Sequence, residues 1–172
     1  MKTWIATTAA VLMTSNIALA DNCQSGYDSV EDAIIATLNE ANPNSISSDA
    51  MVLGEVYELN DRYYATHDSL SDGRNGGKVT VSHPVGAETA ALFRTSGELR
   101  SDLDNQRVNH SDRRAAQQHD VAYYVADASG QLFVAEPGDS RYDQVTTEKG
   151  DARVATNVDE IAIVAAMIAD DC

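Results

Sequence analysis

Four histidines, His67, His83, His110 and His119, are the side chains best suited to holding a metal or moving a proton near neutral pH. Catalytic zinc needs three converging ligands and an open position for water. No two of these histidines stand three or four residues apart, so no helix face pairs them. A metal site made from His67, His83 and His110 would have to be assembled by the fold; isolated turn and surface histidines are the alternative. Ser82-His83 and His110-Ser111-Asp112 contain nucleophile, base and acid types side by side. Neither lies in a Gly-x-Ser-x-Gly elbow, and a triad is made in space rather than in text. His110-Ser111-Asp112 reads more simply as a helix start, with a cap and an acid at the positive end of the helix dipole.

The two cysteines, Cys23 and Cys172, are too few and too far apart for a zinc site. They fit a disulfide if the chain is exported. Closing so long a loop would constrain the unfolded chain by about 4–5 kcal/mol in the chain-entropy account. Export is what the first twenty residues predict. Lys2 gives a positive start, Ile5 to Met13 a short apolar stretch, and Ala18-Leu19-Ala20 a small-residue cleavage site before Asp21. The apolar stretch is shorter than the roughly 20 residues that span a bilayer. The reading is therefore a signal peptide over 1–20 and a secreted or periplasmic domain over 21–172.

Elements must then position whatever chemistry remains. Ser29-Val30-Glu31-Asp32 resembles a capping box, and Val30, Ala33, Ile34, Leu38 and Ala41 follow helical spacing. Asn42-Pro43-Asn44 is expected to end that helix, because the residue before proline avoids helical backbone. Met51–Leu59 and Arg62–Thr66 read as strands around a two-residue turn at Asn60-Asp61. Residues 69–77 read as a glycine-rich loop, Lys78–His83 as a strand, Pro84-Val85-Gly86 as a turn, and Glu88–Arg94 as a buried strand. Residues 96–107 read as a loop, and Asn109 or Ser111 caps a helix through Gln118. Val121–Ala126 and Gln131–Ala135 make a second strand pair around Ala128-Ser129-Gly130. Residues 137–151 read as loop, and Thr156 caps a last apolar helix over 158–169. The alternation of helices and strands predicts one α+β domain.

The chain has 27 acidic and 12 basic side chains among 172 residues, a net charge of −15. Cleavage after Ala20 would remove only Lys2 and take this to −16. No basic stripe is present, which excludes a nucleic-acid binder, and no segment after residue 20 is apolar enough to span a membrane.

Several short motifs, in order, carry a family resemblance. They are Ser45-Ile46, Gly54 in a strand with Val56-Tyr57, and Arg62-Tyr63-Tyr64-Ala65-Thr66. Next come Pro84-Val85-Gly86-Ala87 and Ala90-Ala91-Leu92-Phe93, then Val121 to Val125, Ser129-Gly130 and Glu136-Pro137. Over roughly residues 29–137 the chain resembles the domain-of-unknown-function family 4329, found at the C-termini of bacterial Rhs and other polymorphic toxins. That family has a pattern similar to the JAB/MPN metallopeptidases. It carries a glutamate before the first strand's glycine, a His-Thr-His closing the buried strand, and Ser-x-x-Asp opening the next helix. The resemblance implies a mixed sheet of about six strands with flanking helices. Two histidines and the aspartate would hold zinc, with the glutamate as general base.

Here that pattern is broken. Met51 falls at the glutamate position, and Arg94-Thr95-Ser96 stands at His-Thr-His. The Ser-x-x-Asp pattern falls on His110–Arg113 or Ser111–Arg114, and neither register restores the aspartate. A guanidinium cannot ligate a metal, since it stays protonated and only donates. The resemblance therefore implies a catalytically degenerate domain, with no cofactor, that acts by binding an unknown protein or a small anion. Arg94 and Arg113, with Thr95 and Ser96, are the expected binding residues, the two guanidiniums converging on one cleft. Pairing of each arginine with a local acid such as Glu88 or Glu98 is the competing reading. Two other functions stand beside it: a hydrolase with a relocated site, and an immunity or accessory protein for a related toxin.

Overall fold

The structure, a computed structural model, describes residues 26–69, 83–97, 107–147 and 150–161. The expected signal peptide, the Cys23–Cys172 disulfide, the strand over 78–83 and most of the last helix lie outside these residues. Helix α1 spans Val30–Ser48, β1 Val52–Leu59, β2 Arg62–Ser69 and β3 Glu88–Thr95. Helix α2 spans His110–His119, β4 Ala122–Ala126 and β5 Leu132–Ala135. Three two-residue strands follow inside the stretch expected to be loop: β6 Asp143–Gln144, β7 Thr146–Thr147 and β8 Gly150–Asp151. Six strands form one mixed sheet in the order β2-β1-β3-β4-β5-β6, and β7 pairs β8 separately. All neighbours in the large sheet are antiparallel except β3 and β4, which run parallel. A parallel pair needs a crossover, and α2 lies within it. The α+β class with flanking helices is thus observed.

Strand alternation sorts the core into two layers. Ala91, Phe93, Tyr124 and Ala126 pack with Ala33, Ile34 and Leu38 of α1. Leu92, Tyr123, Val125 and Phe133 pack with Val108 and Ala116, on the α2 side. Arg94 follows Leu92 by two residues and so belongs to the α2 face. The β1–β2 turn places Asn60 and Asp61 at φ of 56° and 61°, the left-handed pair that a tight hairpin demands. Gly54 allows the closest approach in the sheet: a Cβ there would lie 2.3 Å from both the Phe93 ring and the Thr66 carbonyl.

Two local expectations are corrected. Helix α1 does not stop at Asn42-Pro43; it continues to Ser48 and closes on Asp49 at φ 48°. An internal proline costs a helix about 3 kcal/mol, but tertiary bonds hold both sides of this one. Asn42 Nδ2 donates to Ala155 O at 3.0 Å and Asp127 O at 3.3 Å. Asn39 accepts from Ala155 N at 2.9 Å and donates to Ile161 O at 3.1 Å. Beyond the proline, the Ser45 hydroxyl donates to Ala50 O at 2.6 Å. The second correction concerns the cap near 157. Asn157 Oδ1 accepts from the N–H groups of Asp159 and Glu160, while Thr156 donates its N–H and hydroxyl to the Glu160 carboxylate. Asn157 is therefore the cap, one residue later than expected.

Candidate functional site

The end of β3 meets the start of α2 through a buried ion pair. Arg94 is 2 % exposed and Asp112 5 %. Arg94 Nε donates to Asp112 Oδ1 at 3.0 Å and Nη2 to Oδ2 at 2.8 Å, a bidentate fork. Arg94 Nη2 also donates to Arg107 O at 2.9 Å, and Nη1 to Thr95 O at 3.4 Å. Asp112 works on a second front. Its Oδ2 accepts from the Asn109 N–H at 2.8 Å, while Asn109 Oδ1 accepts from Ser111 N and Asp112 N. This reciprocal capping box fixes where α2 begins. One carboxylate thus both starts the helix and neutralises the arginine beneath it. Tyr123 packs beside the pair, and burial, followed by the Asp112 charge, pushes its phenol well above the ordinary tyrosine range.

The expected site residues separate into different roles. Arg94 does not open onto a cleft with Arg113; the anion it holds is Asp112. The competing reading, that Arg94 pairs with a local acid, is met by Asp112; of the two acids named for it, Glu88 is exposed at the start of β3, and Glu98 lies outside the described residues. The physical reason is register, since β3 alternation turns Arg94 toward α2 and the capping box turns Asp112 back toward β3. Thr95 points to the opposite face. It is buried, with its hydroxyl 2.5 Å from Ser45 Oγ and accepting from Val52 N–H at 2.9 Å. Thr95 therefore fastens the end of α1 to the sheet. Ser96 N–H continues the β3–β4 pairing to Ala126 O at 3.0 Å. Met51 is buried immediately before β1.

Arg113 lies one residue beyond Asp112 and half-buried, at a cleft of about 570 Å³. The 107–111 segment, Arg113 and Tyr142 line it. Arg113 Nη1 donates to Val108 O at 3.3 Å. Arg107 Nη1 donates to Tyr142 O–H at 3.2 Å, and its guanidinium stands 5.8 Å from the Phe133 ring centre. Phe133 and Tyr142 meet edge to face at 5.7 Å. Sequence reasoning placed Asp112 in the first turn of this helix, as observed, but not beside Arg94, and it missed Arg107 and Tyr142. A signal for Asp112 was present, because Asn caps a helix as well as Ser does. Asn109-His110-Ser111-Asp112 therefore fits the Ser-x-x-Asp spacing one residue earlier than the registers considered, and it keeps the aspartate. Arg107 and Tyr142 carry no sequence signal, since only the fold brings positions 35 residues apart together.

The histidines are dispersed over β2, the turn near residue 83 and the two ends of α2. His83 stands 6.0 Å from the Tyr57 ring, which in turn stacks on Tyr64 at 5.5 Å. Among the described residues, no three His, Cys, Asp or Glu side chains gather as a metal-holding group. Also among them, no helix is long and apolar enough to cross a membrane. No protein-family model, curated protein or solved structure matches this chain.

Proposed function

We propose that this chain is an exported binding domain on a JAB/MPN-like plan, in which a side-chain cation has taken over the place of a metal. The observation that supports this reading is the buried Arg94–Asp112 fork. In the resembled pattern, the end of the buried strand and the aspartate opening the next helix share one metal ion. On that alignment, with the aspartate kept by the Asn109–Asp112 register, the corresponding residues Arg94 and Asp112 are in direct contact. A guanidinium satisfies the carboxylate as a metal would, but it has no vacant coordination position and cannot activate a bound water. The domain then acts by binding through the surface around this locked pair, as an accessory or immunity-type protein would.

Restoring the ligands tests the reading. Arg94→His combined with Ser96→His recreates His-Thr-His across from Asp112. The double variant is expected to take up one zinc per chain, and adding Asp112→Ala should abolish uptake. Metal analysis of purified wild-type protein should find no stoichiometric zinc. Near-equimolar zinc in the wild type would overturn the reading, as would a folded double variant that binds none.

A further inference from the structure

We infer that the cleft between the 107–111 segment, Arg113 and Tyr142 binds a small anion carrying about two negative charges, such as a phosphate monoester or a dicarboxylate. From the function proposed above this takes only that the chain acts by binding. The zinc-restoration result leaves the cleft arginines untouched, so the two ideas fail separately.

Charge is the first argument. The chain carries 27 acidic against 12 basic side chains, yet among the described residues this lining contains Arg107, Arg113 and His110 and no carboxylate. Asp112, the acid inside the 107–113 stretch, faces inward and is consumed by Arg94 and Asn109. Among the described residues neither Arg107 nor Arg113 forms an ion pair. Each spends one N–H, on Tyr142 and on Val108 O respectively, and keeps its remaining donors for a ligand. Two such groups side by side invert the sign of the molecule's field locally.

Pre-organisation is the second argument. Arg107 is held from one side by the Tyr142 hydroxyl and from the other by the Phe133 ring, and that ring is itself braced edge-on by Tyr142. A guanidinium already ordered loses less freedom on meeting an anion. The start of α2 is not the donor, because Asn109 already takes the Ser111 and Asp112 N–H groups. Two forks match two negative charges, and about 570 Å³ is the size of a small-molecule site. Tyr142 and Val108 supply an apolar wall for the rest of the ligand.

Calorimetric titration with inorganic phosphate and with succinate, at constant ionic strength in a chloride background, tests this. Wild-type protein is expected to bind at least one of them saturably. Tighter phosphate binding assigns a phosphate monoester; tighter succinate binding assigns a dicarboxylate. Arg107→Gln and Arg113→Gln should each weaken binding at least tenfold. Arg114→Gln removes the same charge from an exposed position outside the lining and should change affinity less than twofold. Circular dichroism checks the fold of each variant; if Arg113→Gln disturbs it, the exposed Arg107 decides. No saturable binding of either anion would overturn the inference, as would an Arg114→Gln loss equal to that of Arg107→Gln.

Discussion

Replacing Asp112 with Asn removes the carboxylate that Arg94 grips in its buried bidentate fork. Arg94, at 2 % exposure, would keep the carbonyl oxygens of Arg107 and Thr95 among its acceptors. Breaking one side of a buried pair costs about 3–5 kcal/mol, because the remaining charge is stranded. Asp112→Ala should cost about 1 kcal/mol more, since the carboxylate contact to the Asn109 N–H goes as well. Arg94→Met should cost a similar 3–5 kcal/mol by stranding the carboxylate. The double variant Arg94→Met/Asp112→Asn removes both charges, so its loss should fall well short of the sum, with a coupling of at least about 2 kcal/mol. Urea denaturation provides the assay. With a slope of about 2 kcal/mol per molar, each single variant should lower the midpoint by about 2 M, and the slope should not change. Single-variant losses below about 1 kcal/mol, or a double variant that equals the sum of its parents, would refute the claim that these two residues act as one unit.

Two further outcomes are expected. Gly54→Ala should destabilise the fold by about 3 kcal/mol or more, because its Cβ would meet both the Phe93 ring and the Thr66 backbone oxygen; thermal melts check this, and an unchanged melting temperature would contradict the packing. Stability should also fall as pH rises past the ordinary tyrosine range near 10, because the unfolded chain sheds a phenolic proton that buried Tyr123 retains; urea titrations across that range should show a shallower fall for Tyr123→Phe, with Tyr124, Tyr27 and Tyr57, each raised mainly by burial, sustaining the rest.

How far the fold could be read from the sequence depended on whether the deciding interactions were local. The β1–β2 hairpin, the buried β3 run and a cap near Asn109 were legible, because turn chemistry, alternation and capping act within a few residues. The passage of α1 through Pro43 was not legible, because the bonds that sustain it come from residues 127 and 155. Arg94 was marked from the sequence as a binding residue, and the structure gives it a buried ion pair with Asp112. Its partner was hidden by a one-residue register choice in the following helix. Arg107 and Tyr142 belong to no motif, and only folding makes them neighbours. The cleft was therefore foreseen through Arg113 alone.

The two asparagines of α1 bear on the order in which the molecule can assemble. Asn39 and Asn42 are sealed from solvent, and their partners stand 85 to 122 residues later in the chain. A chain that has emerged only as far as β5 presents an α1 whose polar seam has lost the partners at 155 and 161, and a buried amide without a partner costs about 1–3 kcal/mol. Docking α1 early on the sheet is thus penalised until residues 155–161 arrive. The earliest helix among the described residues is among the last to be secured, which predicts slow folding dominated by distant contacts. A chain truncated after residue 151 should remain protease-sensitive across α1, whereas the full chain should protect it.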